Sequence, residues 1–218
     1  MNYFHDSSVI LGYIFRGADT WGQQAYQRIE DPVPNHSSKY VWEECFGGQY
    51  NEGNFYRGKC GWIRSKIAGE GRRVILKIEQ NIQLPDIISQ MKGDDYKTTG
   101  LFEKLFSRYG SSPTFVQNLK EALIRFEALC FKRYCELNDE IKIKRHVRRK
   151  GYNDIYDHLK KYISNESDVE IVIDGHHLAT QIQEVFFVTG DFTDIYSNKP
   201  IILEKTSLSD IIWLGNLR

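Results

Sequence analysis

Several features that would place a protein quickly are missing from this chain. Its 218 residues carry 29 basic and 29 acidic side chains, so the formal charge is zero. A strongly basic chain would advertise a polyanionic partner; here a polyanion must be gripped by a local patch rather than by the field of the whole molecule. The four cysteines, Cys45, Cys60, Cys130 and Cys135, form no CxxC pair, which lends little support to zinc. No apolar run approaches the roughly 18 residues that cross a bilayer, and no signal-peptide pattern precedes Asp6. The expectation is a cytoplasmic protein with reduced thiols and no membrane partner. Internal repeats and low-complexity tracts are absent. GEGRR, residues 69–73, lacks the Lys-Ser/Thr of a phosphate-binding P-loop, so no nucleotide cofactor is indicated.

What is present reads as an ordinary globular chain, long enough to bury a sizeable core. NYFH, residues 2–5, predicts a short buried strand ending at Asp6, with Ser7 or Ser8 as a helix cap after it. Trp21, Ala25 and Ile29 form one apolar stripe of a helix. EDPVPNHSS, with two prolines, reads as a loop. Residues 39–47 read as a short helix, and the glycine-rich stretch 47–61 as a second loop. Leu101, Leu105 and Phe106 suit a short helix. After Pro113, Phe115, Leu119, Ala122, Leu123, Phe126, Leu129 and Cys130 recur at helical period. That helix is expected to run on through the basic run 142–150. Residues 153–163 give another amphipathic helix. HHLATQIQ predicts a helix, VFFVT a strand, PIILE a strand and SLSDIIWL a closing helix. Helices alternating with short apolar strands argue for an α/β fold with a central parallel sheet. One domain is expected over 1–218, with its core from 1–47 and 168–218 and a mostly helical insertion over about 48–167.

The chemistry-bearing residues lie at strand ends. In VFFVTGDFTDI an apolar strand runs into Thr189, Gly190 and Asp191, with Asp194 three residues on. In open α/β sheets ligands bind beyond the C-terminal ends of strands. Asp6 occupies the equivalent place after NYFH. In DGHHLAT, Asp174 stands where a helix is expected to begin. Each aspartate alone is an ordinary turn or helix-start residue; together they point to an acidic site.

Taken together these stretches resemble the PIN-domain family of nucleases. HDSSVIL is similar to its opening strand, aspartate and hydroxyl residue. DGHHLA is similar to its third acidic motif through Asp174, His177, Leu178 and Ala179. TGDFTD resembles its Thr-Gly/Asn-Asp motif. The family's remaining acid, a glutamate early in its second conserved helix, matches SSKYVWEECFGG. Neighbours on a helix point about 100° apart, so either Glu43 or Glu44 faces the site; Glu44 fits the pattern better. The resemblance implies a three-layer fold, helices on both faces of the sheet. It also implies a site of Asp6, Glu44, Asp174, Asp191 and Asp194, with the four aspartates on Mg²⁺ or Mn²⁺; Ser7, Ser8 or Thr189 could orient a water or a carboxylate there. Carboxylates crowded together repel and raise one another's pKa, and a hard divalent cation removes that cost. The implied activity is hydrolysis of RNA phosphodiesters, and implied partners are RNA, an antitoxin-like protein and a second copy of the chain. A catalytically degenerate PIN fold that binds RNA or serves assembly is the alternative. His176 and His177 are adjacent, cannot share one helix face, and read as structural. In the run 142–150, Arg145, Arg148 and Arg149 fall at helical neighbour spacing, so one helix face could grip an RNA backbone.

Overall fold

The computed structural model describes residues 1–48, 53–94, 96–110, 114–139 and 142–217. Five strands, β1 (Asn2–His5), β2 (Asn35–Ser38), β3 (Lys144–His146), β4 (Val185–Thr189) and β5 (Asp210–Trp213), form one sheet in the order β3-β2-β1-β4-β5. Every neighbouring pair is parallel. The strand nearest the N-terminus is therefore the middle of the sheet. Its partner β4 comes from near the other end of the sequence, in the register Phe4↔Phe187 and His5↔Val188. Parallel strands need crossovers, and helices supply them: α1 (Ser7–Ile14), α2 (Gly22–Glu30), α3 (Lys39–Phe46), α8 (Asn153–Leu159), α9 (Glu166–Ala179) and α10 (Lys199–Lys205).

Both faces of the sheet are covered. On one, Phe4 and Phe187 stack with centroids 5.6 Å apart and meet α9 at Gly175, where an added Cβ would lie 3.0 Å from Phe187 and 3.3 Å from Phe4. On the other, α2 is tied to the sheet by Arg28, which donates to the Tyr3 hydroxyl at 2.8 Å, and by the Asn35 amide, which donates to the Ile29 carbonyl at 2.9 Å. The long crossover between α3 and β3 holds α4 (Gly58–Glu79), α5 (Leu84–Asp94), α6 (Tyr96–Tyr109) and α7 (Phe115–Asn138). These four helices enclose a second, smaller core of Val74, Ile87, Met91, Phe102, Phe106, Phe115 and Leu119. Part of the loop expected over 47–61 falls on 49–52, outside the described residues; α4 begins at Gly58, before that loop was expected to end. No helix among the described residues is long and apolar enough to cross a membrane.

Five sequence expectations are corrected. PIILE is helical within α10, because Pro200 sits in the first turn, where its missing N–H costs nothing. SLSDIIWL instead contributes strand β5, its Ile211 and Ile212 paired to Phe187 and Val188. NHSS, read as loop, is strand β2 and fully buried: Asn35 bonds His5, and the Ser37 hydroxyl donates to the His5 carbonyl. The α7 helix stops at Asn138, and Lys144–His146 forms the charged edge strand β3, so no helical face unites Arg145, Arg148 and Arg149. The helix expected from HHLATQIQ starts earlier, at Glu166, and Asp174 lies in its middle.

Two glycines test this packing in opposite directions. Gly175→Val should destabilise the protein by about 1–3 kcal/mol, because the branched side chain is forced between Phe4 and Phe187. On α4 a Cβ at the exposed Gly69 meets nothing within 4 Å, so Gly69→Ala should stabilise by about 0.5–1 kcal/mol. Urea titration of both variants measures the difference.

Candidate active site

Asp6 follows directly on β1 and is the N-cap of α1. Its Oδ1 accepts the Val9 N–H at 3.0 Å and the Ser8 hydroxyl at 2.6 Å. Its Oδ2 accepts the hydroxyl of Thr189, the last residue of β4. The Ser8 hydroxyl in turn accepts the Gly190 N–H at 2.6 Å, and Thr189 Oγ1 accepts the Asp191 N–H at 2.9 Å. Thus the tops of the two central strands are laced together, and Asp191 is delivered beside Asp6. Burial pushes the Asp6 carboxyl up to about 6; its three hydrogen bonds oppose that, and the charge of Asp191 adds to it.

Asp191 opens a single π-turn, Phe192–Tyr196, and its Oδ1 accepts the Asp194 N–H at 2.9 Å. The Asp194 carboxylate is held by the Ser164 hydroxyl, on the loop that leads into α9. From the other side, α3 presents Glu44, while its neighbour Glu43 points away to Lys39 at 3.4 Å. Glu44 Oε1 meets Lys59 Nζ at 2.7 Å, and Glu44 Oε2 is buried without a hydrogen-bond partner. Lys59 comes from the first turn of α4, so the long crossover reaches the site through this residue.

The third contributing aspartate is Asp168 rather than Asp174. Asp168 lies in the first turn of α9, close enough to Asp6, Asp191 and Glu44 for their charges to act on it. Burial first, then the charges of Asp6, Asp191 and Glu44, raise its carboxyl to about 6, with Lys59 opposing them. Asp174, almost two turns along the helix, is buried against Arg148, whose Nε lies 3.0 Å from its Oδ1. Arg148 also pairs with Glu170. Sequence reading missed Asp168 because α9 was expected to start too late. The signal was there: Asn165 caps the helix, accepting the Ser167 N–H, and Asp168 follows in the first turn. Nothing in the sequence pointed to Lys59.

The remaining candidates lie elsewhere. Ser7 is buried, and its carbonyl faces the Cys45 thiol at 3.9 Å. His176 Nδ1 accepts the Ser207 N–H at 2.9 Å, and His177 is bonded by the Tyr152 hydroxyl and Gln181. Arg145 lies over the Trp42 ring and donates to the Asn138 carbonyl. Of the three arginines expected on RNA, only Arg149 is exposed.

What could this arrangement hold? Among the described residues no three His, Cys, Asp or Glu side chains gather closely enough to form a metal cage. Mg²⁺ in general keeps several waters and binds through one or two carboxylates. The donors are all oxygens, and the buried Glu44 Oε2 lacks a partner. Comparison of the chain with protein-family models, with curated proteins and with solved structures gives no match.

The pKa of Asp6 has a measurable consequence. Its folded value of about 6 lies above the ordinary 3.8. The folded protein therefore takes up this proton before the unfolded chain does as pH falls. The ionised carboxyl costs about 3 kcal/mol of stability above pH 6, and that cost disappears below about pH 4. Asp6→Asn removes the titration. Without divalent cations, the stability of Asp6→Asn relative to wild type should fall as pH is lowered from 7 to 4. Buried neutral histidines such as His5 titrate alike in both proteins and cancel. Thermal melts across that range supply the test; a gap that stays constant with pH would contradict it.

Proposed function

We propose that this chain is a metal-dependent nuclease of PIN type that hydrolyses RNA phosphodiesters at the cluster of Asp6, Glu44, Asp168 and Asp191. The observation that carries the reading is the convergence of Asp6 and Asp191 at the C-terminal ends of two adjacent parallel strands. That edge is where open α/β sheets bind ligands. The all-oxygen donor set favours Mg²⁺ or Mn²⁺ over softer metals. A bound cation of this kind would polarise the scissile phosphate and lower the pKa of a water.

The protein's own side chains supply the rest. Thr189, Ser8 and the Val9 N–H fix both oxygens of Asp6, so its orientation is set before substrate arrives. Lys59 places a positive charge on the open side of the cluster, where it can meet a phosphate oxygen. The Asp168 carboxyl, with a pKa of about 6, is mostly ionised at neutral pH and basic enough to take a proton from an attacking water. Asp194 acts through structure, tying the π-turn to the loop before α9.

A second reading, a degenerate PIN fold that binds RNA without cutting it, draws on the absence of three closely gathered ligands among the described residues. Cleavage assays separate the two. Labelled RNAs and single-stranded DNAs should be cut by wild type in Mn²⁺ or Mg²⁺ and not in EDTA. Asp191→Asn should lose on the order of 10²-fold or more, the several kcal/mol a metal contributes. Undiminished cleavage by Asp191→Asn would remove the site. A further pair tests the placement of the third acid: Asp168→Asn should cut at least about tenfold more slowly, whereas Asp174→Asn should cut like wild type. The reverse result would return Asp174 to the site and displace Asp168.

A further inference from the structure

Next to Asp191 a group of aromatic rings gathers at the end of β5. Phe192, the residue after Asp191, is half-exposed. Its ring lies 4.9 Å from that of Trp213, at the end of β5. Trp213 is stacked on Tyr196 at 5.7 Å and meets Trp21 edge-on at 5.5 Å. Trp21 closes over Gly190, the residue before Asp191, with its Cδ1 3.6 Å from where a Cβ would stand. Four rings from three segments thus surround the Gly190-Asp191 step.

The group is held rigidly. Gly215 lies flat against the Trp213 indole: a Cβ there would come within 2.3 Å of the ring. Tyr196 is anchored by Asn216, which donates to its hydroxyl at 2.8 Å, and by the Lys199 ammonium over its ring. The π-turn fixes Phe192 through the Ser197 N–H, which donates to the Phe192 carbonyl at 2.8 Å. Scattered exposed apolar side chains need no explanation. A braced aromatic group with one ring half open, next in sequence to a cluster carboxylate, is a different case.

We propose that Phe192, backed by Trp213, is a stacking platform for an unpaired nucleobase next to the scissile phosphate, so that the site selects single-stranded over duplex nucleic acid. This rests on the nuclease reading of the same cluster. Every base has a π-face, so a stacking platform accepts many sequences. A base inside a duplex is already stacked on both sides and cannot offer that face without being flipped out. Because Phe192 follows Asp191 directly, a strand with its phosphate over Asp6 and Asp191 would bring its neighbouring base to Phe192.

The test compares wild type with Phe192→Ala, Phe192→Leu and Phe192→Tyr. Binding is read by fluorescence anisotropy with a short labelled single strand, the same strand annealed to its complement, and the same strand carrying one abasic position. It is measured in Ca²⁺ and again in EDTA. Wild type should prefer the intact single strand over the other two. Phe192→Ala should weaken single-strand binding about 5- to 150-fold, Phe192→Leu should weaken it similarly, and Phe192→Tyr should restore it. Because Phe192 is half-exposed, melting temperatures should scarcely move. The platform is overturned if wild type binds no single strand under either condition, if duplex binds as tightly, if Phe192→Ala binds like wild type, or if leucine serves as well as tyrosine. Cleavage by the same proteins separates the two ideas. Cutting that Asp191→Asn abolishes and Phe192→Ala leaves untouched keeps the nuclease and rejects the platform. The Phe192 series behaving as expected with no cutting in any metal keeps the platform and rejects the nuclease.

Discussion

One carboxylate holds the two ends of the sequence together. Asp6 starts a helix, follows directly on the central strand and accepts the hydroxyl of Thr189 from the neighbouring strand. An N-cap normally sits near solvent, where its charge is cheap. This one is 6 % exposed, so ionising it is costly, and the Ser8, Val9 and Thr189 hydrogen bonds offset only part of that cost. A residue chosen for stability alone would be serine or asparagine, which cap about as well without a buried charge. Aspartate here has an energetic rationale if something positive approaches from the open edge of the sheet.

The structure shows one such positive group. Lys59 reaches Glu44 from a helix that the sequence suggests only as part of a remote insertion. The stretch 48–167 is therefore not a mere appendage. Its first helix delivers a cation to the site, its strand β3 completes the sheet edge, and its Arg148 pairs with Asp174. The two pairings divide the acids of α9 between different tasks. Asp174, farther along the helix, has a partner in Arg148, although burial still raises its carboxyl to about 6. Asp168, at the helix start, faces three other acids and only one lysine.

The legible part of this site was the part written by strand ends. NYFH-Asp6 and VFFVT-Gly-Asp191 announce themselves because an apolar run stops at a turn residue, and the parallel sheet then makes them neighbours. Short apolar runs outside that pattern are ambiguous between helix and strand, and PIILE and SLSDIIWL were exchanged for that reason. Strand β2 was illegible because its burial is polar: Asn35, His36 and Ser37 are inside, satisfied by His5, His146 and the backbone rather than by apolar contact. Strand β3 was hidden by its charges, which suit an exposed edge but read as a solvated helix. Lys59 could not be found from any pattern, because its place depends on how α4 leaves the glycine-containing turn at Gly58, where φ is +57°.

The charge balance of the edge determines what it can accept. Asp6, Glu44, Asp168 and Asp191 bring four potential negative charges; Lys59 returns one. Burial keeps water from screening the difference, so the cluster attracts cations more strongly than the neutral whole-chain charge implies. A phosphate strand, itself negative, is repelled by such a site unless a divalent ion comes first or with it. On the proposed reading, the same electrostatics that make Asp6 costly in isolation would impose an order on binding: cation before or together with polyanion, with Lys59 the one positive charge paired to these acids among the described residues.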